Sequence, residues 1–195
     1  MTTFYLVRHA SNDLLPHTLA GRMPGVHLNE KGRREAERLA DRLAPVPVHQ
    51  IFSSPLERAK ETANPLAKRL GLKMEVAEAL NEIDFGDWTG KRLAELDCLE
   101  RWRRWNCCRG TARIPNGETM LEVQNRMVDA LTLWRQRFPD ETIALFGHGD
   151  PIRATLLYFA GMPPDFIHRL EVSPAGVSIV ELDDWAVRVR AINRL

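Results

Sequence analysis

The sequence contains few cysteines, no long apolar run and almost no excess of charge of either sign. Its three cysteines are an odd number, and Cys107 and Cys108 are adjacent, so they fit neither a disulfide framework nor a Cys-x-x-Cys zinc site. We expect Cys98 and this pair to be reduced thiols in a cytoplasmic protein. No stretch approaches the roughly 20 apolar residues of a membrane helix, and the first residues lack the pattern of a signal peptide.

The charge balance and the composition narrow the function classes further. Lys and Arg number 27 against 26 Asp and Glu, a net charge of +1, so we expect neither nucleic acid nor an anionic membrane as a partner. Hydrophobic residues make up 44% of the chain and charged residues 27%, as in ordinary soluble domains. The 195 residues fit a single domain, in which residues 84–117, rich in Trp, Arg and Gly, could form a small cap over a site.

Apolar patterning predicts strands that alternate with helices. Three apolar runs have the length and composition of central strands covered on both faces: residues 3–7, 49–54 and 142–147. Four segments carry apolar residues at helical spacing: residues 29–43, 54–71, 118–138 and 151–160. The chain ends in two strand-like segments joined at residues 183–184, which predicts a hairpin. This order predicts a three-layer α/β sandwich with a mostly parallel sheet flanked by helices.

Several residues predict where these helices begin and end. Ser54 and Asp150 are candidate N-caps, and Thr119 begins a capping-box sequence. Gly71 is a predicted C-terminal stop. Pro65 lies inside the second helical pattern and is predicted to kink or split that helix.

Cationic side chains follow each of the three apolar runs. Arg8 and His9 end the first run, Arg58 follows the second at a predicted helix start, and His148 follows the third between two glycines. In open α/β sheets, ligands bind beyond the carboxyl ends of the strands, and the amides at a helix start favour an anion. A lone Arg-His pair is ordinarily solvated, but three strand ends that each deliver a cation predict one anion-binding pocket.

Glu82, in a turn-rich segment, adds a carboxyl group to this set, and the combination suits phosphoryl transfer. Two arginines can hold phosphoryl oxygens with paired hydrogen bonds, and a second histidine can add a donor. A neutral histidine can attack phosphorus and form a covalent intermediate. A carboxylic acid can protonate the leaving oxygen and then, as a carboxylate, activate water.

Five motifs of this sequence resemble those of the histidine phosphatase superfamily, also called the phosphoglycerate-mutase-like family. They are LVRHA, SSPLERAKETA, LNEIDFGDWTG, NGET and GHGDPIRA, in the family's order and approximate spacing over nearly the whole chain. The short chain and its FGDWTG sequence resemble the phosphatase branches, which include α-ribazole phosphatase and broad-specificity phosphatases. The cofactor-dependent mutases are longer and carry a larger insertion in this region.

The resemblance implies a role for each matching residue. His9 would be the phosphorylated nucleophile, Glu82 the proton donor and acceptor, and the Gly149 amide a further contact. The phosphate pocket would be formed by Arg8, Arg58 and His148. The implied reaction is hydrolysis of a small phosphorylated metabolite without a metal or another cofactor.

Three residues after His9 depart from the family's more frequent pattern. Ala10 replaces a glycine, Ser11 replaces a glutamate, and Leu15 stands where an asparagine is expected, which bears on the substrate contacts of this loop. Residues 100–106 place two tryptophans, at 102 and 105, between arginines. They either shape a pocket for an organic phosphate or form the apolar side of a helix packed on the sheet.

Other residues near these motifs have simpler interpretations. Arg22 lies in a glycine-rich loop that should return towards the pocket, which makes it a candidate substrate contact, although a solvated arginine is the default. Arg153 is predicted to be structural, and Glu118 to support the site or to cap a helix. Four further histidines have no metal-ligand spacing: His17, His27, His49 and His168.

The sequence leaves three functions open. The first is a phosphomonoesterase that acts through His9. The second is a mutase-type phosphotransferase, which would pass the phosphoryl group from the same site to a second hydroxyl. The third is a non-catalytic phosphoryl-binding protein, although a binder would not need Glu82. The C-terminal hairpin could also present an edge at which two copies pair into a homodimer.

Overall fold

The computed structural model describes residues 1–194 and contains one six-stranded sheet. Its strands are β1 (Thr2–Arg8), β2 (Gln50–Ser53), β3 (Met74–Val76), β4 (Thr142–Gly147), β5 (Val177–Leu182) and β6 (Val187–Arg194). The strand order is β3-β2-β4-β1-β5-β6. The strands from β3 to β1 in this order are parallel, and the β5-β6 hairpin adds antiparallel pairings at one edge. The predicted mostly parallel sheet with a C-terminal hairpin is confirmed.

Helices cover both faces of this sheet and give the three layers that the sequence predicts. They are α1 (Glu30–Leu43), α2 (Glu57–Leu70), α3 (Leu93–Leu96), α4 (Glu100–Cys107), α5 (Met120–Arg137) and α6 (Gly149–Phe159). One apolar core, with Leu39 and Leu66, lies between the sheet and α1 and α2. A second core, with Leu131 and Leu156, joins the sheet to α5 and α6. Within residues 1–194, no helix has the length and apolarity needed to span a bilayer.

Capping residues mark the start of one helix and the end of another, as the sequence predicts. The Thr119 side chain accepts from the amide of Glu122, and the Glu122 carboxylate accepts from the Thr119 amide, so the capping box at α5 is confirmed. Gly71 ends α2 at a φ of +64°, in the left-handed region that favours glycine. Pro65 does not split α2, which continues through it, because burial of apolar residues such as Leu66 outweighs the loss of one hydrogen bond.

The predictions that Ser54 and Asp150 cap helices are wrong, because Leu56 and His148 occupy the N-cap positions of α2 and α6. Ser54 precedes α2 without capping it, and its hydroxyl lies 2.8 Å from Nε2 of His148. His148 itself occupies the N-cap position of α6. Asp150 lies inside the first turn of α6, where its carboxylate binds Arg109 and Arg153.

The carboxyl ends of β1, β2 and β4 meet at one edge of the sheet. Because β4 lies between the other two strands and Gly147 pairs with Arg8, the next residues, His9 and His148, start side by side. The amide of Ser54, which directly follows β2, donates to the carbonyl of Phe146 near the end of β4 at 2.8 Å. The fold therefore brings three distant parts of the sequence to one place.

Residues 84–117 contain α3, α4 and a short 3₁₀ turn and enclose a third apolar core. Trp88 lies 5.3 Å from Trp102 and 5.8 Å from Trp105, measured between ring centroids. Trp102 and Trp105 are 8% and 1% exposed, and they pack in this core with residues of α5 and α6 rather than on the sheet. This placement favours a packing role over a pocket-lining role.

The first turn of α1 approaches the loop after β1 so closely that it has no room for a side chain. A Cβ atom placed on Gly32 would lie 2.0 Å from the carbonyl oxygen of Ser11. The glycine therefore allows α1 to support the loop that carries His9.

Gly32→Ala should destabilise the protein by about 1–3 kcal/mol in the free energy of unfolding, because overpacking against Ser11 outweighs the better helix propensity of alanine. Arg34→Ala, at an exposed position of the same helix, is the control and should change this free energy by less than about 0.5 kcal/mol. Urea denaturation measures both variants. Wild-type stability of Gly32→Ala would contradict the close contact.

Candidate active site

One cavity of about 270 Å³ brings most of the predicted site residues together. Five of them line it: Arg8, His9, Arg58, Glu82 and Gly149. His148 is fully buried beside them, and its ring centroid lies 5.2 Å from that of His9. A larger cavity of about 520 Å³, between α1 and residues 173–175, contains none of these residues, so chemistry rather than size identifies the site.

A backbone contact fixes the tautomer of His9. Nδ1 of His9 lies 2.8 Å from the carbonyl oxygen of Ala10, which can only accept a hydrogen bond. The ring proton is therefore on Nδ1, and Nε2 carries the lone pair. Burial, followed by the charges of Arg58 and Arg8, lowers the pKa of His9 well below its usual value. His9 thus has the neutral, unprotonated Nε2 that nucleophilic attack requires.

Arg8 and Arg58 bring buried positive charge to the cavity. Arg58 is 1% exposed and donates from Nη2 to the carbonyl of Gly21 at 2.6 Å, and Arg8 donates from Nη1 to the carbonyl of Val172 at 2.6 Å. Within residues 1–194, Nε of both arginines and Nη1 of Arg58 have no hydrogen-bond partner. Burial lowers the pKa of both guanidinium groups. An anion in the cavity would satisfy both the donors and the charges.

His148 provides a second imidazole next to His9. Its Nε2 lies 2.8 Å from the hydroxyl of Ser54, which accepts from the Leu56 amide at 3.3 Å. We assign the hydroxyl hydrogen to the bond with Nε2, which places the ring proton of His148 on Nδ1. In the described part of the chain, this Nδ1 is buried without a partner, 3.9 Å from Oε2 of Glu82. Burial lowers the pKa of His148 well below its usual value, so it is a neutral donor.

Two arginines hold Glu82 in place through its backbone. The carbonyl oxygen of Glu82 accepts from Nε of Arg22 at 2.8 Å and from Nη2 of Arg126 at 3.1 Å. Both arginines also bind the carboxylate of Glu118, which accepts from the Asp84 amide as well. Arg22, predicted as a candidate substrate contact, is not among the residues that line the cavity. Its guanidinium group instead positions the segment that carries Glu82.

The Glu82 carboxyl group is an unusually weak acid. Burial, reinforced by the Asp150 carboxylate, raises the pKa of Glu82 to about 7. The hydrogen bond that Oε1 accepts from the Ile83 amide at 2.9 Å and the charges of Arg58 and Arg8 act in the opposite direction. A carboxyl group with a pKa near neutrality can both donate and accept a proton at pH 7.

Asp150 and Arg153 also line the cavity, and with Arg109 they form an ion-pair cluster, named here the Asp150 cluster. The Asp150 carboxylate lies 2.9 Å from Nη1 of Arg153 and 3.0 Å from Nη1 of Arg109. Arg109 is 3% exposed, and its guanidinium carbon lies 3.3 Å from the ring centroid of Trp105. Burial opposes the charge of Asp150, but Arg109 and Arg153 outweigh it and lower the pKa of Asp150 to about 2.

The sequence contained a signal for only part of this cluster. Asp150 and Arg153 are three residues apart in a predicted helix, a spacing at which opposite charges meet. That spacing identifies the pair but not its position in the cavity wall. Arg109 lies 41 residues away from Asp150, and nothing in the sequence connects the two.

The loop after His9, where the sequence departs from the family's frequent pattern, is tied to two helices. Ser11 donates its amide and its hydroxyl to the Glu35 carboxylate of α1 at 2.8 and 3.0 Å. Ala10 is fully buried, and its amide donates to the Thr62 hydroxyl of α2 at 3.0 Å. Leu15 lines the cavity, so an apolar side chain stands there in place of an amide.

Comparison with known proteins extends the similarity over the whole chain. A sequence model of the histidine phosphatase superfamily (branch 1) matches residues 4–195. Phosphoserine phosphatase 1 of Hydrogenobacter thermophilus is 29% identical over 94% of this chain and 88% of its own length. Probable phosphoglycerate mutase GpmB of Cronobacter sakazakii is 30% identical over 93% and 85% of the two chains. The solved structure of Bacillus stearothermophilus YhfR is 27% identical, covers 100% of this chain and 98% of its own, and superposes with a TM-score of 0.93.

The Glu82 carboxyl group should titrate near pH 7 in the folded protein, because burial and the Asp150 charge disfavour its ionised form. Carbon-13 NMR of the glutamate side chains measures this pKa, and Glu82→Gln identifies the signal. Asp150→Asn should lower the pKa of Glu82, since it removes the nearby negative charge. A wild-type pKa close to the ordinary glutamate value of about 4.3 would contradict the buried environment.

Proposed function

We propose that this chain, which belongs to branch 1 of the histidine phosphatase superfamily, is a phosphomonoesterase that hydrolyses a small phosphorylated metabolite through a phosphohistidine at His9. The hydrogen bond of His9 carries the proposal, because the Ala10 carbonyl holds the proton on Nδ1 and leaves Nε2 unprotonated beside Arg8 and Arg58. The relative named phosphoserine phosphatase 1 supports hydrolysis as the outcome.

In the first step, Nε2 of His9 attacks phosphorus, and the ester bond between phosphorus and oxygen breaks. Arg8, Arg58 and His148 direct N–H donors at the phosphoryl oxygens and stabilise the charge that develops on them. Glu82 enters this step protonated and gives its proton to the departing oxygen. The products are a free alcohol, a phosphohistidine and an ionised Glu82.

In the second step, the Glu82 carboxylate takes a proton from water, and the water oxygen attacks phosphorus. The bond between phosphorus and Nε2 breaks, and its electron pair returns to His9. Inorganic phosphate leaves, and Glu82 is protonated again. Both steps use only side chains of this protein, so the proposed reaction needs no metal ion or other cofactor.

We further propose that residues 84–117 act as the cap of this site. Phe85 and Leu93, from this segment, line the cavity together with Leu15 and Leu19, so the organic part of the substrate meets an apolar wall. A cavity of about 270 Å³ suits a metabolite rather than a phosphoprotein. A cytoplasmic location, with which three exposed free cysteines are compatible, and pairing into a homodimer stay predictions.

A phosphoglycerate mutase activity is the second candidate, because a relative with that name is 30% identical. A mutase would pass the phosphoryl group to a second hydroxyl instead of water. Isomerisation of 3-phosphoglycerate that depends on a bisphosphorylated primer and releases no inorganic phosphate would favour it. Rapid loss of the phosphoryl group from His9 to water would favour the phosphatase.

His9→Ala should lower kcat for p-nitrophenyl phosphate by a factor on the order of 10⁴ or more, because no other imidazole is among the residues that line the described cavity. Turnover by the wild type should resist a chelator. His27→Ala, at an exposed histidine outside the cavity, is the matched control and should retain activity. Near-normal turnover by folded His9→Ala would rule out the phosphohistidine route.

The pH dependence should differ between alkyl and aryl phosphates. For an alkyl phosphate, kcat/KM should fall above about pH 7, because Glu82 must be protonated to release an alkoxide and its pKa is about 7. Activity should persist well below pH 6.5, since His9 remains neutral there. For p-nitrophenyl phosphate, whose leaving group needs no proton, the alkaline loss should be weaker.

Glu82→Gln should therefore slow the alkyl phosphate much more than the aryl phosphate. Initial rates between pH 4 and 9 for both substrates and both proteins test the assignment. Identical flat profiles for the two substrates would exclude Glu82 as the proton donor.

A further inference from the structure

The cavity wall contains a cation beyond those that the proposed mechanism uses. Among the described residues that line the cavity, three are arginines: Arg8, Arg58 and Arg153. The mechanism assigns Arg8 and Arg58 to the phosphoryl oxygens and gives Arg153 no role. Arg153 belongs to the Asp150 cluster, whose charge and geometry indicate what it binds.

We propose that Arg153 binds a carboxylate on the organic part of the substrate, so that the enzyme prefers phosphate monoesters of small hydroxy acids. The proposal rests on the proposed function, because it concerns the same cavity. It adds a specificity-determining residue and a substrate class to that function.

Arg153 lies next to Arg8, one of the two arginines assigned to the phosphoryl group. A Cβ atom placed on Gly149 would lie 3.2 Å from Nε of Arg8 and 3.4 Å from Nη1 of Arg153. The two guanidinium groups therefore flank one point at the start of α6. A group bound by Arg153 lies near the phosphoryl group, as in a molecule in which only a few bonds separate the two anions.

Two hydrogen bonds hold the Arg153 guanidinium group in the wall. Its Nε donates to the carbonyl of Leu170 at 2.9 Å, and its Nη1 donates to Asp150 at 2.9 Å. Neither contact uses Nη2, and the Arg153 side chain is 23% exposed, so this nitrogen can donate to a ligand. A guanidinium group that is already oriented loses little entropy when it binds a ligand.

The charges favour a carboxylate over a second phosphoryl group. The Asp150 cluster contains two guanidinium groups, Arg109 and Arg153, and one carboxylate, which sum to a net charge of +1. Arg8 and Arg58 add two charges that match a phosphate dianion. One positive charge is then left for a second group, and a carboxylate carries one negative charge.

The rest of the wall explains why this charge selects among substrates. Several other residues that line the cavity are apolar, among them Leu15, Leu19, Phe85 and Leu93, whereas Asn12 and Thr18 contribute neutral polar groups. Once Arg8 and Arg58 bind the phosphoryl group, Arg153 is the remaining cation among the described lining residues, so a carboxylate gains most by pointing towards it. Burying it without that partner would cost free energy.

A matched pair of substrates tests the proposal. 3-Phosphoglycerate and glycerol 3-phosphate share a three-carbon skeleton and a phosphate ester, but a carboxylate in the first is a CH2OH group in the second. The wild type should favour 3-phosphoglycerate by about ten- to a hundredfold in kcat/KM, the range of one charged hydrogen bond. Arg153→Met should bring this ratio close to one, and Arg153→Lys should give an intermediate ratio.

Arg169→Met is the matched control, because Arg169 is exposed, lies over the Phe166 ring at 3.5 Å and is outside the cavity. It removes the same charge and should keep the wild-type ratio. A wild-type ratio near one overturns the proposal, even if Arg153→Met does not fold. An equal loss on both substrates in Arg153→Met also overturns it, since that would place Arg153 on the phosphoryl group or in the scaffold.

Hydrolysis of p-nitrophenyl phosphate, which has no carboxylate, separates this proposal from the proposed function. If the wild type hydrolyses it through His9 but does not distinguish the matched pair, only the role of Arg153 fails. If the wild type hydrolyses none of the three phosphates, the phosphatase function fails first.

Discussion

Two buried guanidinium groups at the carboxyl edge of the sheet, those of Arg8 and Arg58, set the conditions for every other group in the site. Burial, followed by the charges of these two groups, lowers the pKa of His9 and keeps it neutral, because a protonated imidazole beside them would add a third buried cation. The same charges favour ionisation of Glu82, yet burial and Asp150 outweigh them and keep its pKa near neutrality. The proposed nucleophile, His9, and the proposed proton donor, Glu82, thus favour opposite protonation states within one small cavity, as a phosphoryl transfer with acid assistance requires.

Hydrogen bonds from three other segments fix the position of the loop that carries His9. The amide of Ala175, two residues before β5, donates to the carbonyl of Arg8 at 3.1 Å. Ser11 is bound by Glu35 of α1, and Ala10 by Thr62 of α2. These contacts hold the Ala10 carbonyl where it fixes the tautomer of His9. The apolar cores therefore contribute to catalysis indirectly, by fixing the helices that hold this loop.

The Asp150 cluster connects residues 84–117 to the active site. Arg109 packs on Trp105 in the core of that segment and binds the same carboxylate as Arg153, which lines the cavity. Asp150 is also close enough to Glu82 to raise its pKa. One carboxylate thus joins the segment proposed as a cap, the arginine proposed to read the substrate, and the acid proposed to protonate the leaving group.

The sequence by itself determined the α/β architecture and the terminal hairpin, and it predicted that Arg8, His9, Arg58, Glu82 and His148 meet in one pocket, because strand patterning and strand-end residues are local signals. It did not determine the contacts of Ser54, Asp150, Arg22 or Arg153. Their local neighbours predict a cap for Ser54 and for Asp150, a substrate contact or a solvated arginine for Arg22, and a structural role for Arg153. Their actual partners, such as His148 for Ser54 and Arg109 for Asp150, are 94 and 41 residues away. Only the tertiary structure decided these contacts, because a buried polar group takes the partner that burial brings to it, whatever the distance along the chain.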